Sequence, residues 1–243
     1  MMVIKNFVKR ISSRYSLIRN FLLRIYRRPP PEFFDVGFHG DAHLIDFVLP
    51  ILSFSSSFIE TGTSVASTTR FGAEKFPNLR IYGCEPDRNA FNFAIEKLGD
   101  YKNVSVRRQT SPEFLYELIE DAPTLLKDDT VFWLDSHGNG FRWPLRDEIK
   151  FITSKFKKGY IFIDDFLVPE NPQFGYDTYD GQTCSLQFIQ DMFDRSKKYR
   201  IYYPMYKDKT SSFCDLRGWA LIEFGFPDSK IKVPTEIVTC QTL

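Results

Sequence analysis

The chain has 243 residues, enough for one sizeable α/β domain with its own core. Its 43% apolar content is that of an ordinary globular protein, and a net charge of +1 argues against a nucleic-acid binder working by bulk electrostatics. No run approaches the ~18 apolar residues of a membrane-crossing helix, and the four cysteines, Cys84, Cys184, Cys214 and Cys240, lie too far apart for a CxxC zinc site.

Residues 1–28 differ from the rest. They carry Lys5, Lys9, Arg10, Arg14, Arg19, Arg24, Arg27 and Arg28 and no acid, while Ile4, Val8, Ile11, Tyr15, Ile18, Leu22 and Ile25 recur at helical spacing. A basic amphipathic helix reads as a membrane-surface anchor or a partner-docking helix. Two other readings stay open: a helix packed on its own domain, and an Arg-rich targeting segment. Pro29-Pro30-Pro31 stops the helix and separates a 1–31 segment from a domain at 32–243. The absence of paired cysteines points to a reducing, cytoplasmic setting, with the basic segment at the inner membrane surface.

A helix is expected to start near Asp41 and pack beside the first strand. His39 and His43, on either side of it, are read as capping or surface residues rather than ligand-facing ones. The organising stretch follows: Phe58-Ile59-Glu60-Thr61-Gly62-Thr63-Ser64-Val65-Ala66-Ser67. An apolar run that breaks into glycine and small residues and then enters a helix reads as strand, tight turn, helix N-terminus. Such a turn exposes backbone N–H groups and suits an anionic or carboxylate-bearing ligand.

Strands are then expected at 80–85, 104–106, 130–135 and 159–163, alternating with helices at 67–75, 87–98, 114–120 and 144–156. Asp87 is a good N-cap, and Thr110-Ser111-Pro112-Glu113 is a capping box. This alternation implies a mostly parallel sheet with helices on both faces. Four strand-like runs end in carboxylates, at Glu60, Glu85, Asp135 and Asp164-Asp165. Ligands of open α/β sheets bind at the carboxyl ends of the strands, and an acid at the tip of the second strand is placed to accept from ribose hydroxyls. Residues 166–183, rich in Pro, Gly and aromatics, read as an ordered lid. A helix at 185–193 and strands at 199–203 and 218–224 follow, the last two pairing antiparallel at one sheet edge.

Together, Glu60-Thr61-Gly62-Thr63, Glu85, Asp135 and the closing hairpin resemble a class I S-adenosylmethionine-dependent methyltransferase. The segments FIETGTSVASTTRFGAEKF, VFWLDSHGNG and IFIDDF look closer still to the macrocin O-methyltransferase-like, sugar-associated group. The resemblance covers 57–165 well and residues 1–28 not at all. Ser64 and Ala66 depart from it, standing where further glycines are common. It implies a Rossmann-like three-layer fold and O-methylation of a sugar or glycan precursor. Glu60, Thr61, Gly62, Thr63 and Ser64 would face the methionine end of the cofactor, with Glu85 on the ribose, Gln109 and Thr110 near the adenine, and Asp135 beside them. In metal-dependent relatives, acids matching Asp135, Asp164 and Asp165 hold a divalent cation, here Mg²⁺. With Asp135, His137 would serve catalysis, taking the acceptor's proton. Tyr176, Asp177, Tyr179 and Asp180 of the lid would contact the acceptor. Two alternatives are a nicotinamide-dependent oxidoreductase, which the missing G-x-G-x-x-G pattern disfavours, and a non-catalytic scaffold, which has no need of four strand-end acids.

Overall fold

The computed structural model describes residues 36–136, 142–207, 216–235 and 238–243. The basic segment at 1–28, His137 and Cys214 lie outside the described residues. The chain enters through a 3-10 turn (Gly37–Gly40) and α1 (Ala42–Phe54). It then alternates through β1 (Ser57–Thr61), α2 (Ser67–Lys75), β2 (Arg80–Cys84), α3 (Arg88–Leu98), β3 (Val104–Arg107), α4 (Ser111–Asp121), β4 (Thr130–Leu134), α5 (Leu145–Lys155) and β5 (Gly159–Ile163). A two-strand ribbon follows, β6 (Thr178–Tyr179) with β7 (Gln182–Thr183), and then one helical turn, α6 (Leu186–Ile189). Strands β8 (Tyr199–Pro204), β9 (Ala220–Phe224) and β10 (Val238–Thr242) complete the fold.

The main sheet has the order β10-β8-β9-β5-β4-β1-β2-β3, with β1 to β5 parallel. Its middle strands β1, β4 and β5 are buried along their whole length. Continuous apolar runs of this kind need cover on both faces, which the helices supply. The caps form as the sequence requires. Asp41 Oδ1 accepts from the N–H groups of His43 and Leu44, Asp87 Oδ1 from those of Asn89 and Ala90, and Thr110 pairs with Glu113.

Two expectations change. The helix expected at 185–193 is one α-turn followed by a 3-10 turn, Gln190–Met192. The closing pair is antiparallel as expected, but β9 inserts between β5 and β8 instead of lying at the edge. The reason is burial: Ala-Leu-Ile-Glu-Phe of β9 is buried throughout and takes a strand on each side. The edge goes to β10, Val-Thr-Cys-Gln-Thr, exposed beyond its first residue. A polar strand suits an edge, and its lack of apolar alternation hid it from the sequence reading.

The many phenylalanines go largely into the core. Phe38, Phe58, Phe132, Phe156 and Phe162 are fully buried beside Trp133 and Trp219. Phe38 is the wedge of the entering turn, edge-on to Trp133 at 4.9 Å and to Phe71 at 5.7 Å. Removing a buried ring leaves a cavity as well as losing its transfer energy. Phe38→Ala is therefore expected to cost about 3–5 kcal/mol in urea unfolding, with an unchanged denaturant slope.

Candidate active site

The parallel register puts Thr61, Cys84, Leu134 and Ile163 in one row across the sheet. The next residue on each strand is Gly62, Glu85, Asp135 or Asp164. Three carboxylates and the glycine turn thus emerge level, at one sheet end, where β2 and β3 follow on one side of β1 and the chain then crosses back to place β4 on the other. This is the crevice where open α/β sheets bind ligands.

Gly62 is required there. Its φ is +80°, and a Cβ would lie 2.3 Å from the Asp135 carbonyl oxygen. Ser64 and Ala66, the departures from the glycine motif, hold φ of 49° and 62°. The turn therefore keeps the left-handed shape that glycine adopts freely, with two residues that pay for it in strain. That shape aims the Ser64 N–H at Glu85 Oε2, 2.8 Å away, while the Asp87 N–H donates to Oε1 at 2.9 Å. Two backbone donors, one on each oxygen, fix the Glu85 carboxylate.

Glu60 lies one row deeper and accepts from the Thr69 hydroxyl of α2. Burial, opposed by that hydrogen bond and reinforced by the charges of Asp135 and Glu85, pushes its pKa up to about 8. The Thr61 and Thr63 hydroxyls beside it are buried and take no hydrogen bond among the described residues. Gln109 and Thr110 follow β3 at the same sheet end. Gln109 Nε2 donates to Glu117 at 2.6 Å, and its Oε1 is a buried acceptor with no hydrogen bond among the described residues.

The acids expected to hold a metal have cationic neighbours instead. His39 Nε2 meets Asp164 Oδ2 at 2.7 Å. Burial opposes a charge on this imidazole, but Asp164, then Asp165 and Asp135, outweigh it and raise its pKa to about 10. Asp165, at φ 50°, meets Arg217 Nη1 at 3.0 Å, and the same nitrogen lies 3.5 Å from Asp177. Among the described residues no group of side chains gathers as a metal site. Asp135 stands level with Asp164 but does not join it in such a cluster.

A narrow cleft lies beside these acids, between β4, β5, α5 and the lid, with an interior of about 10 Å³, room for about one water molecule as it stands. Leu134, Leu145 and Ile163 form its apolar part, and Asp164, Asp165, Asp177, Tyr179, Ser136 and Glu148 its polar part. Trp143 joins the wall, stacked on Phe188 at 4.7 Å and 5.4 Å from the Tyr179 ring. Of the expected acceptor contacts, Asp177 and Tyr179 line the cleft, whereas Tyr176 and Asp180 are exposed and do not. The lid is ordered by backbone bonds from Asp177 to Asp165, Leu167 to Cys184 and Gly175 to Leu216.

The sequence reading missed four participants. His39 was assigned a capping or surface role, yet it reaches the site; His43 does lie at the cap, its ring 4.5 Å from that of Tyr206. Arg217 was unassigned. Because β9 runs antiparallel to β5, with Ala220 opposite Ile163, the residues just before β9 arrive at the carboxylate end. Glu148 and Trp143 needed the packing of α5 to be seen.

Protein-family models and curated proteins give no match to the sequence. Solved structures do. A structure provisionally named an O-methyltransferase, from Klebsiella pneumoniae, aligns over 88% of this chain and 98% of its own at 14% identity, with a TM-score of 0.53. The O-methyltransferase TomG of Streptomyces achromogenes, involved in tomaymycin synthesis and solved in complex with SAM, aligns over 87% and 97% at 14% identity, with a TM-score of 0.51. The fold is that of a Rossmann-like methyltransferase. At such identity the likeness is one of architecture.

The turn yields a paired test. Gly62→Ala is expected to lower stability by more than the about 1–2 kcal/mol that a left-handed residue alone costs, because a backbone clash adds to it. Ser64→Gly keeps the backbone donor to Glu85 and relieves strain, so its melting temperature should rise by about 2–4 °C per kcal/mol recovered. Scanning calorimetry of both variants reads the difference.

Proposed function

We propose that the protein transfers a methyl group from S-adenosylmethionine to an oxygen of a small acceptor, a sugar or glycan precursor. The observation that carries this is the Glu85 carboxylate, pinned by two backbone N–H groups beside the Gly62 turn at the topological switch point. Paired, fixed carboxylate acceptors suit the two adjacent hydroxyls of a ribose. Glu60, held largely protonated by burial, would receive the ammonium of the methionine end and give up its proton to do so. The orphan acceptor Gln109 Oε1 would meet the adenine amino group.

When bound, the cofactor supplies an electrophilic methyl on a sulfonium. This chain's task is then positioning, since in-line displacement gains most from orienting the acceptor oxygen. The cleft does this with an aromatic wall, Trp143 and Tyr179, suited to a sugar face, and with Asp177 and Asp164 suited to its hydroxyls. Asp135 borders the crevice; the expected proton acceptor His137 follows it. For Mg²⁺ the donor set does not fit, because Asp164 and Asp165 already hold His39 and Arg217. No step is routed through a metal. Residues 1–28 would attach the enzyme to an anionic membrane surface or a partner.

The nicotinamide alternative gains nothing from the geometry. Two measurements test the proposal. S-adenosylhomocysteine should bind with micromolar affinity by titration calorimetry, and Glu85→Ala should weaken it by about tenfold or more, ~1.4 kcal/mol. A folded sample that binds none of it sinks the reading. Glu60 adds a pH signature. Its pKa is raised from 4.5 to about 8 in the free protein. The unliganded fold therefore loses stability as pH climbs through that window, and an incoming ammonium favours the ionised form. Affinity should rise from pH 6 toward 8, with proton release detected in buffers of different ionisation enthalpy, and Glu60→Gln should abolish the slope.

A further inference from the structure

We infer that this site orients its acceptor without a divalent cation, and that His39 is the positioning residue that replaces one by holding Asp164. The inference rests on the methyltransferase reading for its purpose, but its observations are independent of it.

The first observation is strain. Phe38, His39 and Gly40 all have positive φ, at 52°, 56° and 67°. Two consecutive non-glycine residues in that region are costly and persist only where their surroundings dictate them. Here they do. Phe38 is fully buried, its N–H donates to Thr68 Oγ1 at 3.2 Å, and a Cβ on Gly37 would lie 2.6 Å from Phe71 Cβ. Asp41, which accepts from the Tyr206 hydroxyl, closes the far end of the strap. What this strained strap delivers is one ring, placed on a carboxylate 125 residues away, with a third of its side-chain surface still open.

The second observation is a matching cation on the neighbouring acid. Arg217 reaches Asp165 and Asp177 from the start of β9. Three carboxylates of the cleft are thus offset by two cationic side chains from opposite ends of the chain. Magnesium demands near-octahedral oxygen ligands and attracts carboxylates by their net charge. To enter, it would have to displace the imidazole from Asp164 and the guanidinium from Asp165. The arrangement instead fixes Asp164 through Oδ2 and leaves Oδ1 for an acceptor hydroxyl at the cleft wall.

The test uses Mn²⁺ as a probe of the full-length protein, by water-proton relaxation and calorimetry. Wild type should show no saturable Mn²⁺ binding below the millimolar range, and S-adenosylhomocysteine affinity should be unchanged by EDTA. His39→Gln in an Arg217→Gln background should gain Mn²⁺ binding by about tenfold or more, a gain that loss of mere packing would not produce. His39→Lys in the same background should not gain it. Tight Mn²⁺ binding to wild type, abolished by Asp164→Asn, overturns the inference without using a variant of uncertain folding. So does a folded double variant that gains nothing. Failure of S-adenosylhomocysteine to bind would instead remove the methyltransferase reading and leave the Mn²⁺ result standing.

Discussion

The sheet end is governed by the cost of taking carboxylates out of water. Glu60, Glu85, Asp164 and Asp165 are 2%, 5%, 4% and 7% exposed, and an uncompensated buried carboxylate costs several kcal/mol. Each is compensated differently. Glu60 takes up a proton and a threonine hydrogen bond. Glu85 takes two backbone N–H groups. Asp164 takes an imidazole, and Asp165 a guanidinium. The four devices dictate much of the surrounding structure: the left-handed turn after β1, the strap before α1, and the antiparallel insertion of β9. The same four devices divide the site chemically. The Glu60–Glu85 side is held by a threonine hydroxyl and two backbone N–H groups and, under the proposed function, would face a cationic and hydroxyl-rich cofactor. The Asp164–Asp165 side is already balanced and suits a neutral acceptor.

What the sequence made legible follows from locality. Strand-end acids can be read because a strand, its tip and its turn are contiguous, and the parallel register then brings the tips level without further information. Caps are likewise local, so Asp87 and the Thr110–Glu113 box were readable. His39 and Arg217 were not, since each acts on a partner set by tertiary path. His39 carried one weak signal, its place next to Gly40, a residue that takes positive φ freely. Arg217 carried another: a cation just before a strand that returns antiparallel must arrive at the carboxyl end. Reading that signal needed the knowledge that β9 inserts beside β5, which only the apolar completeness of Ala-Leu-Ile-Glu-Phe hinted at.

The first turn corrects the way a degenerate motif is read. Ser64 and Ala66 replace glycines in composition but not in conformation, since both retain positive φ. What the ligand meets is the path of the backbone and its N–H groups, and these are preserved at some cost in strain. A glycine count therefore says little about the backbone shape of this turn. The buried position of Ala66 explains the exchange in part: a methyl group there packs with Ala94 and Leu98, returning apolar burial against conformational strain.

The lid belongs to the same charge arrangement. Its backbone is fastened to the sheet end through the Asp177 N–H on the Asp165 carbonyl, and through Gly175, which donates to Leu216 and accepts from Gly218. Gly218 has no alternative, since a Cβ there would lie 2.0 Å from the Phe166 carbonyl oxygen. Arg217, between these fastenings, binds one acid of β5 and one of the lid. Opening the lid would break the backbone ladder and the contact of Arg217 with Asp177. The cleft is therefore built into the resting fold, with its aromatic wall already stacked. Under the proposed function, discrimination among acceptors would fall to the spacing of Trp143 from Tyr179 and the reach of Asp177.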